Sequence, residues 1–224
     1  MKAGELNLKD ITVYVDMDGV LADLFNHVGE LHDVEHYNQM TPDQWETFFK
    51  DSNAYELFRD LPAFPTANKL LSMVVELAGG YNILSSPLSF DKENSVKGKK
   101  EWLKKNITVP ADNIIFEHDK AKYATSNGKP NILIDDYGVN IRNWQAAGGI
   151  AIKYQADEDS LQTVFKALRA AAQSQQPEDK AVDEARRKKR RRSAAWGPGP
   201  YGYYGTAVGY SGDGGSSDGG GGGE

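Results

Sequence analysis

Two aspartates directly follow a short apolar run near the start of the chain. Residues 11–15 read Ile-Thr-Val-Tyr-Val, and Asp16 and Asp18 come next, in the string Asp-Met-Asp-Gly-Val-Leu-Ala-Asp. A run rich in β-branched and aromatic residues, without Gly or Pro, is typical of a strand that is covered on both faces. Because open α/β sheets place their ligand sites at the carboxyl ends of their strands, we expect both carboxylates to lie in a site.

Three further apolar runs also lead into polar side chains. Ser85 and Ser86 follow residues 81–84, Lys120 lies a few residues beyond 114–116, and Asp135 and Asp136 follow 131–134. Parallel strands bring their carboxyl ends to the same edge of a sheet. We therefore expect these side chains to converge with the two aspartates of the first run.

The converging residue types suit phosphoryl transfer. A phosphomonoester is a dianion that repels a carboxylate nucleophile, so the site needs a hard divalent cation, and Mg²⁺ held by Asp16 and the pair Asp135 and Asp136 would supply it. One carboxylate can attack phosphorus while a second protonates the leaving alkoxide and later activates water. A hydroxyl and an ammonium can hold the transferring oxygens.

The periodicity of the chain predicts the elements that position these residues. Strands are expected at 11–15, 81–84, 114–116, 131–134 and 150–154, and helices at 67–78, 92–105, 139–147 and 157–172. Strands that alternate with helices indicate an α/β, Rossmann-like fold with a mainly parallel sheet flanked by helices. Residues 24–62 carry aromatic side chains among polar ones, with a helix start at Thr41, and predict a small helical cap inserted after the first strand.

The motif Asp-x-Asp-Gly-Val-Leu-x-Asp at residues 16–23 resembles the first motif of the haloacid dehalogenase superfamily of phosphatases. It is similar in particular to the 5′(3′)-deoxyribonucleotidase family, including its small phage and bacterial members, and the resemblance extends over residues 11–154. It implies that Asp16 is the nucleophile and a metal ligand. It also implies that Asp18 is the general acid and base, with its backbone carbonyl on the metal, and that Ser85 and Ser86 hold the phosphate.

The same resemblance implies a lysine in the third motif, and two residues compete for that role. Lys120 is favoured over Lys122, although it precedes Asp135 by 15 residues, a gap longer than in the mammalian-type relatives. Asp135 and Asp136 are implied to hold the metal, and which of them ligates it directly is left open. Tyr137 stands where relatives often carry Arg, so one phosphate or substrate contact differs.

The function that the resemblance implies is Mg²⁺-dependent hydrolysis of deoxyribonucleoside 5′(3′)-monophosphates through an aspartyl-phosphate intermediate. Two alternatives stay open. One is a general metabolite phosphatase of the same fold, and the other is a non-catalytic binding protein with a degenerate phosphatase core that tethers partners through its basic, Tyr/Gly-rich tail. The intact carboxylates and lysine favour the enzyme. The preferred base, and the choice between 5′ and 3′ phosphate, cannot be read from the residues.

Two metal motifs compete with this interpretation. A calcium loop that starts at Asp16 would need Gly at its sixth position and Glu at its twelfth, where Leu21 and His27 stand. The string that runs from His32 to His36 matches His-x-x-Glu-His, two histidines four apart on a helical face, as in one class of zinc peptidase. We expect an exposed helix there instead, because no third ligand is near in the sequence.

Composition limits the remaining possibilities. The chain has 224 residues, a net charge of −6 and no Cys, which excludes thiolate catalysis, disulfides and Cys-ligated zinc and suits a cytoplasmic protein. No apolar run approaches the length of a membrane-spanning helix, so we expect no membrane partner. The oligomeric state cannot be read from the sequence.

The last quarter of the chain differs from the rest. We assign residues 1–172 to the phosphatase domain and 173–224 to a disordered, low-complexity tail rich in Gly, Ser and Tyr. Seven consecutive cations occupy residues 186–192. Because the rest of the chain is acidic, this run is the electrostatic candidate for contact with nucleic acid or an acidic partner.

Overall fold

A five-stranded parallel sheet forms the centre of the fold in the computed structural model, which describes residues 8, 11–34 and 36–174. The strands in chain order are β1 (Val13–Val15), β2 (Asn82–Ser85), β3 (Asn113–Phe116), β4 (Thr125–Ser126), β5 (Lys129–Pro130), β6 (Ile132–Asp135) and β7 (Ile150–Lys153). The sheet has the order β3-β2-β1-β6-β7, and β4 and β5 form a separate antiparallel pair. The predicted α/β, Rossmann-like architecture is confirmed.

Helices cover both faces of the sheet. They are α1 (Leu24–Leu31), α2 (Pro42–Asp51), α3 (Ala54–Asp60), α4 (Ala67–Ala78), α5 (Lys92–Asn106), α6 (Gly138–Ala146) and α7 (Leu161–Ser174), with 3₁₀ turns at Tyr37–Gln39 and Lys120–Tyr123. Side chains of β1 alternate between the two layers, because Val13 and Val15 join the larger apolar cluster and Tyr14 joins a smaller one. The central strands β1, β2 and β6 are therefore buried on both sides, as their apolar residues predict, whereas the edge strand β3 is partly exposed.

Two buried tryptophans fix helices to neighbouring chain segments. Trp102 of α5 donates its ring N–H to the carbonyl of Leu61 at 2.7 Å, and Trp144 of α6 donates to the carbonyl of Asn131 at 3.1 Å. Both side chains are fully buried. Each ring thus contributes apolar area while its one polar atom is hydrogen-bonded, which is a structural role.

The helical cap predicted after the first strand is present and consists of α1, α2, α3 and the first 3₁₀ turn. Thr41 and Gln44 form a capping box at the start of α2, with Gln44 N–H donating to Thr41 at 3.3 Å and Thr41 N–H donating to Gln44 at 2.8 Å. Aromatic rings pack against one another inside the cap with centroids 5.3 to 6.0 Å apart: Phe25, Tyr37, Trp45, Phe48 and Phe49. The cap therefore contains an aromatic cluster, part of which packs against the main core.

The final helix begins later than its sequence pattern predicts. Residues 157–160 belong to a turn rather than to α7, which starts at Leu161. In that turn Asp159 N–H donates to the carbonyl of Gln155 at 2.8 Å, and the Asp159 carboxylate accepts the Gln155 N–H at 2.9 Å. The side chain of Asp159 thus stabilises a turn that competes with the helix.

The hairpin of β4 and β5 was not predicted. Its turn is formed by Asn127 and Gly128, with φ of 50° and 73°. Positive φ at both central residues is the geometry that an Asn-Gly pair favours in a two-residue hairpin loop.

Several predictions fall outside the described residues. The tail from residue 175 onward, including the basic run 186–192, is not among them, so its disorder and its proposed partners stay predictions. Within the described part of the chain, no helix is both long enough and apolar enough to cross a membrane.

Candidate active site

The loop that follows β1 places Asp16 and Asp18 at the carboxyl edge of the sheet. Asp16 N–H continues the ladder by donating to the carbonyl of Ile134 at 2.9 Å, and the loop closes when Gly19 N–H donates to the carbonyl of Ala22 at 2.9 Å. Gly19 has φ of 76°, a region that favours glycine. The central position of β1 therefore brings its carboxylates between the ends of β2 and β6.

Three carboxylates meet at this edge. One oxygen from each of Asp16, Asp135 and Asp136 lies within 4.8 Å of the others, and this is the one cluster of three or more potential metal ligands among the described residues. Oδ1 of Asp16 is buried without a hydrogen-bond partner in that part of the chain. Hard carboxylate oxygens, one of them lacking a donor, fit a divalent cation such as Mg²⁺.

The electrostatics of the cluster also favour a cation. Burial, together with the neighbouring Asp16 and Asp135, raises the pKa of Asp136 to about 8. Burial and Asp16 raise the pKa of Asp135 to about 6, although Lys120 opposes this shift. Asp135 and Asp136 therefore hold protons to a higher pH than isolated groups do, because burial disfavours their charged forms and the neighbouring carboxylates add to this effect.

Lys120 lies inside the cluster and Lys122 lies outside it. Nζ of Lys120 is 2.7 Å from Oδ2 of Asp135 and 2.9 Å from Oδ1 of Asp16, and its side chain is buried. The contact with Asp16 is within ion-pair distance but lacks hydrogen-bond geometry. Burial opposes the charge of Lys120, but the two carboxylates outweigh it and raise the pKa of this lysine. Lys122 is exposed and pairs with Glu117 at 3.1 Å.

Asp135 and Asp136 have different surroundings. Asp135 accepts hydrogen bonds from Lys120, from Tyr137 N–H at 2.8 Å and from the Asn140 amide at 3.1 and 3.2 Å. Among the described residues, none donates a hydrogen bond to Asp136. Asp135 is thus occupied by protein donors, whereas Asp136 has its lone pairs free.

A second lysine of the site was missed in the sequence. Lys99, in the middle of α5, is fully buried, and its ammonium lies 2.5 Å from Oδ2 of Asp18. It also donates to Oγ of Ser85 at 2.9 Å and to the carbonyl of Ser86 at 2.8 Å. Lys99 therefore connects the first motif to the loop of Ser85 and Ser86, which is the second motif.

Asp18 is held through one of its two carboxylate oxygens. Oδ2 accepts from Lys99, whereas Oδ1 is buried and has no hydrogen-bond partner in the described part of the chain. Burial raises the pKa of Asp18, Lys99 opposes this shift and Asp16 adds to it. A carboxyl of this kind retains a proton to higher pH than an exposed one, which suits proton donation.

The two serines of the second motif differ in orientation. Ser85 is fully buried at the end of β2 and its hydroxyl accepts from Lys99. The Ser86 hydroxyl donates instead to the carbonyl of Glu117 at 3.4 Å. The structure thus brings the Ser85 side chain to the carboxylates but turns the Ser86 hydroxyl toward the neighbouring loop.

The helical face that the His-x-x-Glu-His motif requires is absent at His32 and His36. Helix α1 ends at Leu31, so the two histidines do not share a helical face. The His32 ring packs against Phe48 with centroids 5.3 Å apart, and Nδ1 of His36 accepts the Asn38 N–H at 3.2 Å. The expected exposed helix is absent there as well, because a turn and a 3₁₀ segment take its place.

The fold and the carboxylate–lysine site define a phosphatase of the haloacid dehalogenase type. The chain belongs to the family described as 5′ nucleotidase, deoxy (Pyrimidine), cytosolic type C protein, which it matches over residues 9–175. It is therefore a hydrolase of phosphoric monoesters, as the sequence predicted. No curated protein matches it significantly.

Three of the solved structures that the chain matches are described as haloacid dehalogenase-type proteins. A superfamily hydrolase from Ehrlichia chaffeensis is 17% identical, with a TM-score of 0.43 over 72% of this chain and 95% of that one. A family enzyme from Bacteroides thetaiotaomicron, in complex with magnesium and inorganic phosphate, is 16% identical, with a TM-score of 0.40 over 66% and 96%. A haloacid dehalogenase-like hydrolase from Streptococcus pneumoniae is 14% identical, with a TM-score of 0.38 over 64% and 84%.

Proposed function

We propose that this protein hydrolyses deoxyribonucleoside monophosphates in a Mg²⁺-dependent reaction that passes through an aspartyl-phosphate on Asp16. The observation that carries the proposal is the convergence of Asp16, Asp18 and Lys120 with an acidic pair at one edge of the sheet. Membership of a nucleotidase family supports the substrate class. The cytosolic description of that family supports a cytoplasmic location.

The proposed reaction has two steps. A carboxylate oxygen of Asp16 attacks phosphorus, the bond between phosphorus and the sugar oxygen breaks, and Asp18 gives its proton to the departing alkoxide. Asp18 then takes a proton from water as that water attacks the phosphorus of the acyl phosphate. Inorganic phosphate leaves and Asp16 is regenerated as a carboxylate, so every atom and proton is accounted for.

Lys120 and Ser85 would hold the transferring phosphoryl group. The ammonium of Lys120 has three N–H donors, and its hydrogen bond to Asp135 together with its ion-pair contact with Asp16 leaves at least one donor for a phosphate oxygen. The Ser85 hydroxyl accepts from Lys99 and so keeps its own O–H as a donor. Ser86 would contribute through its position in the same loop rather than through its hydroxyl, which is bonded to Glu117.

The metal would be held by Asp16 and Asp136, with the backbone carbonyl of Asp18 as the third protein ligand. Asp136 is favoured over Asp135 as the direct ligand because Asp135 already accepts bonds from Lys120, Tyr137 and Asn140. When bound, Mg²⁺ supplies charge that neutralises the phosphate dianion. Asp135 would orient Lys120.

The cap supplies the surface for the nucleoside. Phe25 at the start of the cap borders the first motif, since its ring carbon Cε2 lies 2.9 Å from the position that a Cβ on Gly19 would take. The ring also packs against Tyr37 and Trp45, so an aromatic surface continues from the catalytic loop into the cap. Such a surface suits a nucleobase and a sugar without a 2′-hydroxyl.

A phosphate-release screen over deoxyribonucleotides, ribonucleotides and sugar phosphates, with and without Mg²⁺, tests the proposal. We expect Mg²⁺-dependent release from deoxyribonucleotides, and we expect Asp16→Asn to abolish it while the circular dichroism spectrum stays unchanged. Best turnover of a sugar phosphate would indicate a general metabolite phosphatase. Absence of turnover on every ester would indicate the binding protein, and normal turnover by Asp16→Asn would exclude the covalent route.

A further inference from the structure

Lys99 is a buried charge whose hydrogen-bonding capacity is used entirely by the protein. Its side chain has no exposed surface, and its Nζ contacts Oδ2 of Asp18, Oγ of Ser85 and the carbonyl of Ser86 at 2.5, 2.9 and 2.8 Å. An ammonium has three donors, and these three acceptors occupy them all. Lys99 therefore has no donor left for a substrate, which distinguishes it from Lys120.

The fold holds Lys99 rigidly beneath the first motif. Helix α5 approaches α3 so closely that a Cβ on Gly98 would lie 2.4 Å from the carbonyl oxygen of Tyr55. On the same face, Phe58 of α3 places its ring centroid 4.6 Å from Nζ of Lys99. The ammonium is thus enclosed between a cap helix, an aromatic face and the two motif loops, where it cannot take another rotamer without losing its acceptors.

We propose that Lys99 is a positioning residue that orients Asp18 for proton transfer to the leaving group, a role that rests on the proposed function. Lys99 binds Oδ2 of Asp18 and leaves Oδ1 buried and without a hydrogen-bond partner in the described part of the chain, so Oδ1 is the oxygen that can carry the proton. Because the same ammonium binds the Ser86 carbonyl, it also sets the distance between Asp18 and the second motif. The site therefore uses two buried lysines with separate tasks.

The role predicts a dependence on the leaving group. A nucleoside alkoxide needs a proton as it departs, so its release depends on a correctly placed Asp18, whereas p-nitrophenolate departs without one. The parameter kcat/KM includes steps up to departure of the leaving group and excludes the later attack of water. Loss of Lys99 should therefore lower kcat/KM much more for a nucleotide than for p-nitrophenyl phosphate.

The test compares Lys99→Met and Lys99→Gln with Lys100→Met, the next residue on α5, which is exposed. We expect Lys99→Met to lower kcat/KM for dUMP by about 10²-fold, in line with a misplaced catalytic group. With p-nitrophenyl phosphate, the fold-decrease in kcat/KM should be less than about a tenth of the fold-decrease for dUMP. The KM of dUMP should be nearly unchanged. Lys99→Gln, which keeps two donors, should fall between, and Lys100→Met should match the parent protein.

Three results would overturn the positioning role and leave the proposed function standing. Equal losses on both esters would mean that Lys99 does not act through the leaving-group proton. A large rise in KM with unchanged kcat would make it a substrate-binding residue. Loss of the folded circular dichroism spectrum in both Lys99 variants would make it a structural residue. A parent protein that releases no phosphate from either ester would instead refute the proposed function itself, and the positioning role with it.

Discussion

Nζ of Lys120 lies 2.7 Å from Oδ2 of Asp135, and neither side chain has more than 2% of its surface exposed. The same nitrogen is 2.9 Å from Asp16, so one cation lies between the proposed nucleophile and the acidic pair. From the sequence, both Lys120 and Lys122 were candidates for the third-motif lysine. Lys122, two residues further on, is 56% exposed and pairs with Glu117, which makes the two lysines a matched pair for mutation.

Lys120→Met should lower kcat strongly, whereas Lys122→Met should not. A donor aimed at the transferring oxygens contributes about 10²- to 10³-fold to turnover, and its loss should appear in kcat. An exposed ion pair contributes little, so Lys122→Met should retain parent kinetics and stability. Initial rates with dUMP and Mg²⁺ measure both. Equal losses in the two variants, or a larger loss in Lys122→Met, would contradict the assignment of Lys120 to the third motif.

Gly19→Ala should reduce turnover more than stability. A Cβ at this position would lie 2.6 Å from Oδ2 of Asp136 and 2.9 Å from Cε2 of Phe25, so both side chains would have to move. That movement displaces a proposed metal ligand, and misplacement of about 1 Å in a site typically costs about 10²-fold in rate. We expect a loss of this size in kcat/KM, with a weaker dependence of the rate on Mg²⁺ concentration.

Gly128→Ala is the control, because it imposes the same backbone strain without the contact. Gly128 has φ of 73° in the turn between β4 and β5, and nothing lies within 4 Å of the Cβ it would gain. Both alanine variants should lose about 1–2 kcal/mol of stability from the left-handed backbone. If Gly128→Ala lost activity as well, strain rather than contact with Asp136 would explain the effect at Gly19.

The expectation that functional side chains gather at the carboxyl ends of parallel strands identified most of the site but could not identify Lys99. That expectation selects polar residues at the end of a strand or within a few residues after it, which is where Asp16, Asp18 and Ser85 lie. Lys99 lies in the middle of α5 among several other lysines, where a solvent-facing side chain is the ordinary expectation. The signal that could have revealed it is its helical spacing from the buried Trp102, since residues three positions apart share a face.

Element boundaries followed the sequence where local chemistry and packing agreed. Thr41 followed by Pro42 marked the start of α2 correctly, because an N-cap and a proline in the first turn are local features that the structure retains. The predicted start of α7 was wrong because the side chain of Asp159 stabilises a turn with Gln155. The spacing of apolar residues, from which the helix was predicted, carries no information about such a side-chain hydrogen bond. The Asn127–Gly128 turn did carry a local signal, but its strands of two residues are too short for periodicity to reveal.

The metal-free protein should lose stability as pH rises from about 4 to 8. Burial raises the pKa of Asp135 to about 6 and of Asp136 to about 8, from an ordinary value of 3.8. In this window the folded state therefore holds more protons than the unfolded chain, and linkage requires that stability fall with rising pH. The loss of stability is absent at pH values below the pKa of these carboxyls in the unfolded chain. It is complete at pH values above their pKa in the folded state. Mg²⁺ binds the ionised carboxylates of the folded state and should offset it.

Thermal unfolding of Asp136→Asn at pH 6 and pH 8 measures this effect. The Tm of the variant should depend less on pH than the Tm of the parent. If the substitution removes about 1 kcal/mol of the cost of ionising Asp136 in the folded state, the Tm at pH 8 should rise by about 2–4 °C. It should also lose most of the stabilisation by Mg²⁺. Asp51→Asn, at an exposed carboxyl of the cap, should behave like the parent. A parent Tm that is constant between pH 6 and 8 without metal would contradict the prediction.

Substrate choice should depend on the aromatic surface that begins at Phe25. The ring borders the catalytic loop at Gly19 and packs on Tyr37, so a bound sugar would lie against apolar carbon with few polar partners for an extra hydroxyl. A buried hydroxyl without a partner costs about 1–3 kcal/mol, or about 5- to 150-fold in selectivity. We therefore expect kcat/KM for dUMP to exceed that for UMP at least several-fold, with glucose 6-phosphate below both.

Phe25→Leu should reduce the ratio of kcat/KM for dUMP to that for glucose 6-phosphate, whereas Phe165→Leu, at a half-buried ring on α7, should leave this ratio unchanged. Equal values for dUMP and UMP in the parent protein would exclude the deoxyribose preference, and an unaltered preference in Phe25→Leu would show that the nucleoside binds elsewhere.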